Sequence, residues 1–530
     1  MRKTAEGAQT ARSQSKRMPS MTSLTSWASL CMRSAFLVAT LLSSSAMAAD
    51  LRIGLRADPD VLDPAQGTSV AGRVVFAALC DKLIDITADG KYQPQLAAAW
   101  SWSPDNLTLT LKLREHVLFQ DGQPFDAAAV KANLDRYRTD PLSKRKTELK
   151  PVASVEVVDP LTVNIRLSHA YAPLVSVLSD RAGMMMSPAA LTKEGAKIGD
   201  HPVCAGPFQF VERVSQDHIL LKRFDQYWNK DAILVDSVNY RMIPDDSVRL
   251  LSLRSGDLDL IERLSPSDIS TVKSDTNLKV IGGPSTAFDL ISINTNHGDD
   301  ANNPLGKSEK VRQAFELSLD RNAINQVAYD GLFVPGNQPE PVGTQFYDPA
   351  HPVPERDVAK AKALLGEAGT PHPSFTLAVA NSPILAQVSQ MIQSMAAEAG
   401  FDIKIQTLES STLAANSDAG KYQASMAIWS GRPDPDGNIS PWIASDGFLN
   451  WGHYSNKDLD KILTEARQTT DDAKRKKLYA DAIDLYVADM PLIVLYHYKS
   501  LWAARSNIDG FVPYPDGLIR LQGVKKGAAG

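Results

Sequence analysis

Cysteine is scarce in this chain: three residues in 530, at positions 31, 80 and 204. A scaffold stapled by many disulfides is excluded. There is no C-x-x-C and no H-E-x-x-H, and the nine histidines are scattered, so no metal site is expected. Long apolar runs are equally rare. The one clear run, Ala35–Leu42, lies near the start, which excludes a multi-pass membrane protein. No basic block occurs beyond the extreme N-terminus and the formal net charge is −5. A nucleic-acid partner, which needs concentrated positive charge, is not expected. P-loop, G-x-G-x-x-G and G-x-S-x-G motifs are missing, so neither a cofactor nor a catalytic residue is assigned. A secreted hydrolase built on a bare carboxylate pair stays open as an alternative function.

What is present is ordinary globular composition, 43% hydrophobic and 22% charged. The length suits roughly two to four domains. Arg33, the apolar run and the small-residue stretch Ser43–Ala48 have the layout of a secretory signal peptide, residues 1–48. Cys31 precedes the run, so it does not occupy the position of a lipid-anchor cysteine. Removing residues 1–48 takes away six basic residues and one acidic residue, leaving a net charge of −10. Two cysteines then remain. In an oxidising compartment Cys80 and Cys204 can pair, or each can stay a small buried thiol.

Residues 50–280 read mostly as strands. Leu107–Leu113 alternates apolar and polar residues, as do Val155–Val157 and Leu161–Leu167, the latter two joined through Asp159-Pro160 as a hairpin. After about residue 300 helices alternate with strands. Stripes begin at Val311, at Val358 behind the N-cap candidate Asp357, at Val388 and at Leu459, with Gly369 and Gly400 as stops. Met426–Trp429 reads as a short buried strand, and Leu492–Tyr496 returns to strand character. An α/β part inserted into a β-richer one is the expected organisation.

One segment carries the chemistry of a binding loop: Trp429-Ser430-Gly431-Arg432-Pro433-Asp434-Pro435-Asp436-Gly437-Asn438. It leaves the carboxyl end of a strand, where ligands bind in open α/β sheets. It offers an aromatic face, a guanidinium and two carboxylates. Pairing of Arg432 with Asp434 or Asp436 across a surface turn is the plainer alternative.

The order of motifs resembles family 5 extracellular solute-binding proteins, the peptide/nickel-type receptors of ABC importers. It runs from Leu51-Arg52-Ile53-Gly54 and Leu62-Asp63-Pro64 through Asp89–Ala97 and Leu113–Gly122. Gly206-Pro207-Phe208, Tyr227-Trp228, Gly256–Asp259, Val311–Ala314 and Asp434-Pro435-Asp436 continue it. The resemblance implies an α/β, two-lobed periplasmic binding protein whose lobes are joined by two hinge strands. Lobe I would be residues 49–284 with an extra β-rich subdomain at about 67–205, lobe II 285–492, and 493–530 a return to lobe I. It implies capture of a peptide-like or other small organic solute. The partners implied are a membrane permease and ATPase subunits at the inner membrane. A monomer is expected, and a sensory or chaperone-like receptor on the same fold is the other alternative.

Similar dipeptide-binding members place an Asp after the Trp-x-Gly of this loop and an Arg before the helix at Val388–Ala399. Here Arg432 holds the first position, and Val379–Pro383 has no basic residue. An Arg in a cleft suits a carboxylate or phosphate, so an acidic solute is expected. The candidate ligand-binding residues are Arg432, Trp429, Asp434, Asp436, Gly431 and Phe288. Phe288 lies in the expected first crossing strand and is either a cleft residue or a core aromatic.

Overall fold

The computed structural model describes residues 50–527. The signal peptide expected over residues 1–48 lies outside the described residues. The backbone is organised by one sheet of 11 strands. From one edge the order is Asp402–Leu408, Ser374–Ala380, Ala424–Trp429, Leu278–Ile293, Leu492–Arg505, Leu260–Ile261, Asp50–Leu55, Ser237–Met242, His218–Arg223 and Phe208–Val214. The short strand Val334–Pro335 adds to Leu492–Arg505.

Two long strands connect the lobes. Leu278–Ile293 and Leu492–Arg505 run antiparallel, and their register breaks between Pro284 and Phe288. On one side of the break Leu278–Pro284 faces Arg505–Lys499; on the other Phe288–Ser292 faces His497–Leu492. A proline cannot donate to a ladder, and a local break bends a ribbon.

The predicted elements of the subdomain form a separate four-stranded antiparallel sheet, in the order Ala97–Trp102, Thr108–Leu113, Thr162–Leu167, Val152–Asp159. Its alternation has the expected cause. Leu109, Leu111, Val163 and Ile165 are fully buried with Phe119 and Tyr137, while the polar positions between them face outward. In the second lobe the helices Glu309–Leu317, Val358–Glu367, Pro383–Ala399 and Lys457–Gln468 follow the apolar stripes. Asp357 caps its helix by accepting the Lys360 N–H at 2.8 Å. In the core beneath these helices Phe375 meets Phe315 and Phe401 edge-on, and Phe315 and Phe401 meet tilted.

Cys80 and Cys204 are joined as a disulfide, with Cα atoms 4.8 Å apart. Cys80 closes the helix Val70–Leu79. Close packing holds the bridge: a Cβ on Gly206 would lie 2.4 Å from the Leu79 carbonyl oxygen, so the turn accepts only glycine there.

Candidate functional site

Trp429 ends the strand Ala424–Trp429, and the chain then turns into the helix Asp436–Ile443. Gly431 makes this turn possible. Its φ is +71°, and a Cβ there would lie 2.1 Å from the Thr286 carbonyl oxygen. Thr286 belongs to the long crossing strand and donates through Oγ1 to the Ser430 carbonyl at 3.2 Å. The loop is therefore clamped to the connection between the lobes.

Asn438 clasps the loop from inside. Its Oδ1 accepts from the Arg432 N–H at 2.7 Å and from Trp429 Nε1 at 3.2 Å. Its Nδ2 donates to the Arg432 carbonyl at 3.0 Å and to Glu340 Oε1 at 2.6 Å. The Arg432 guanidinium lies over the Trp429 ring, 4.6 Å from its centroid. Trp429 also meets Trp442 and the exposed Phe448 edge-on.

The two carboxylates of the loop do not pair with Arg432. Both oxygens of Asp434 accept from Arg475 Nη2, at 2.8 and 2.9 Å, and one also accepts the Asp436 N–H at 3.0 Å. Asp436 accepts from Arg467 Nε at 2.8 Å and from the Ser440 hydroxyl. Both carboxylates are buried. Burial alone would lower the Arg475 pKa, but the Asp434 charge and hydrogen bonds raise it; burial in turn raises the Asp434 pKa against the opposing pull of Arg475. Asp434 and Asp436 thus fasten the loop to the helices Lys457–Gln468 and Asp472–Asp489. Phe288 is fully buried, its ring 5.6 Å from that of His497 and within the apolar cluster under this loop.

Arg432 reaches instead across to the first lobe, where its Nε is 3.8 Å from Asp180 Oδ2. Asp180 also accepts from Arg73 Nε at 3.1 Å. Burial would raise the Asp180 pKa, but the charges of Arg73, Arg181 and Arg432 hold it well below the usual carboxylate range. Burial and the neighbouring Arg73 lower the pKa of Arg432. Nearby, the Ala172 N–H donates to the Arg467 carbonyl at 2.7 Å, a backbone contact between the lobes. Sequence reading missed Arg73, Asp180, Arg181 and Asn438. The first three come from segments about 250 or more positions before Arg432, and no local spacing announces such a meeting. For Asn438 the signal available in the sequence is its place just inside a helix start.

A further cluster joins Asp348, His351 and Asp484, whose ligand-type atoms lie within 4.8 Å of one another. His351 Nε2 is already hydrogen-bonded to Asp484 at 2.6 Å, which braces its loop on the helix Asp472–Asp489.

Residues 91–450 match the family model described as "Bacterial extracellular solute-binding proteins, family 5 Middle". The chain belongs to this family. The glutathione-binding protein GsiB of Salmonella paratyphi A is 32% identical over 483 residues, covering 88% of this chain and 93% of the relative. The periplasmic binding protein AgaA from A. tumefaciens R10, solved in complex with agropinic acid, is 27% identical with a TM-score of 0.77. That match covers 91% of this chain and 99% of AgaA. The ABC transporter substrate-binding protein CtaP from Listeria monocytogenes is 25% identical with a TM-score of 0.82, over 90% of this chain and 99% of CtaP. The two-lobed α/β architecture is that of a solute-binding protein. Among the described residues no helix is long and apolar enough to cross a membrane.

Proposed function

We propose that the mature chain, residues 49–530, is a monomeric periplasmic receptor that captures a small acidic, peptide-like solute between its lobes and delivers it to an ABC permease. The observation that carries this reading is the position of Arg432. It leaves the binding loop of one lobe, its guanidinium donates to Ser430 Oγ and the Gly431 carbonyl and lies over the Trp429 ring, and it faces Asp180 of the other. A guanidinium so placed suits a ligand carboxylate through paired hydrogen bonds. Similarity to a glutathione-binding protein and to a receptor crystallised with agropinic acid points the same way. In this reading Trp429 lends an aromatic wall and Gly431 shapes the turn, whereas Asp434 and Asp436 hold the loop. The lobes, 49–284 with 493–530 and 285–492, rotate about the register break at Pro284–Phe288.

Thermal melting against neutral dipeptides, longer peptides, glutathione, opines and sugar phosphates tests this. A solute at 100 times its dissociation constant stabilises by about 2.7 kcal/mol. Acidic solutes are expected to raise the melting midpoint and neutral dipeptides to leave it unchanged. A strong shift with neutral dipeptides would overturn the acidic assignment.

A further inference from the structure

Four arginines converge where the lobes meet. Arg73, Arg145 and Arg181 of the first lobe are 4%, 4% and 5% exposed, and Arg432 of the second completes the set. Two carboxylates lie among them. Asp180 takes the Arg73 bond, and Glu148 accepts from Arg145 Nη1 at 2.6 Å. The neighbouring charges are already matched: Asp63 with Arg136, Asp434 with Arg475, Asp436 with Arg467, and Asp85 and Asp516 with Arg520 and Lys82. The cluster therefore keeps two positive charges in excess. Arg145 and Arg181 share the Gly67 carbonyl, at 3.5 and 3.0 Å, and the Nε of each is buried with no hydrogen-bond partner, that of Arg181 lying 3.9 Å from Asp180 Oδ1. Like charges crowded in a poorly solvated site repel, and unmatched buried donors are costly to leave unmade. Burial, against the raising pull of Asp180 and helped by the charges of Arg145 and Arg73, pushes the Arg181 pKa down to about 10.

We infer that the solute is dianionic at this end, with two carboxylates or one phosphate group seated among Arg73, Arg145, Arg181 and Arg432. The inference rests on the receptor reading above and sharpens it. One monoanionic carboxylate would leave half of the excess unneutralised. The arrangement also carries a signature that needs no ligand. An ion-pair cluster built for stability weakens when an arginine is removed. A cluster awaiting an anion relaxes when one is removed, because repulsion is relieved.

The test uses the mature chain and its Arg181→Gln variant, with Arg145→Gln as the second variant should the first fail to fold. Without solute, the variant is expected to melt at the wild-type temperature or above it; a clear fall would overturn the proposal. Inorganic phosphate is then compared with sodium chloride of equal ionic strength. General salting-out acts on both proteins alike, so the difference between them reads the site. Phosphate is expected to raise the wild-type midpoint more than the variant's, and equal rises would overturn the proposal. Finally, alanyl-glutamate, whose last residue carries two carboxylates, and glucose 6-phosphate distinguish the dicarboxylate from the phosphate source. Whichever binds should lose at least tenfold in affinity in Arg181→Gln; an unchanged affinity would overturn the proposal. If neither binds but the first two results hold, the anion site stands, and the peptide-like solute of the receptor reading is what fails.

Discussion

Arg432 and Asp180 face each other across the two lobes, Nε to Oδ2, at 3.8 Å. The pair couples the position of the binding loop to the first lobe. Asp180 is the shared counter-charge of three arginines, so its loss exposes all of them.

Asp180→Asn should destabilise the unliganded protein by about 3–5 kcal/mol, since it strands buried guanidinium charge. Urea unfolding at neutral pH measures this. The sign of the pH dependence follows from a folded pKa far below the usual one. The stabilisation is complete above an unfolded carboxylate pKa of about 3.9 and drains away as pH falls below it. Wild type and variant should therefore converge in stability toward acid.

Arg475→Gln removes the partner of both Asp434 oxygens in a buried setting. A loss of about 3–5 kcal/mol is expected, readable as a lower urea midpoint. Affinity for solute should fall as well, because Asp434 anchors the loop that presents Arg432.

Gly431→Ala meets two obstacles, a φ of +71° and a Cβ contact of 2.1 Å with the Thr286 carbonyl oxygen. Strain at such a position costs about 1–3 kcal/mol. The expected outcome is a folded protein of lower melting temperature and weakened solute binding, measured by melting with and without ligand. Wild-type behaviour would mean that the loop does not hold this turn in solution.

Asp289, fully buried on the crossing strand, accepts from the Tyr498 hydroxyl at 2.8 Å. Burial raises its pKa to about 7, against the lowering effect of the Tyr496 and Tyr498 hydrogen bonds. A carboxyl whose folded pKa lies above its unfolded value favours folding only while protonated. Its contribution declines as pH rises from about 4 toward 7 and then stays low. Asp289→Asn should leave stability at pH 4 nearly unchanged and raise it at pH 8 by on the order of 2–4 kcal/mol. Unfolding curves at the two values decide it.

Reduction of the Cys80–Cys204 bridge, which closes a sequence separation of 124 residues, should cost about 2–5 kcal/mol. The Cys80→Ala/Cys204→Ala variant, compared by urea unfolding, checks this.

Local periodicity made much of this fold legible. The alternation of Leu107–Leu113 survives as the strand Thr108–Leu113 because one face is buried, and Asp357 caps the helix its position implied. The loop from Trp429 to Asn438 was legible by its composition. Its wiring was not. Arg432 had Asp434 and Asp436 as sequence neighbours, yet the helices behind the loop supply Arg475 and Arg467 to them, and Asp180 arrives from the other lobe. Phe288 shows the same limit. A residue on a crossing strand faces either cleft or core according to pleat and register, and here the register with His497 turns it inward. The cystine was undecidable from spacing because the turn at Gly206, not chain proximity, brings Cys204 to Cys80.

The most direct measurement is calorimetric titration of the mature chain and its Arg432→Gln variant with the acidic solute giving the largest melting shift. The account predicts binding by the wild type and a loss of about 2–5 kcal/mol in the variant. Equal affinities in the two proteins would contradict it.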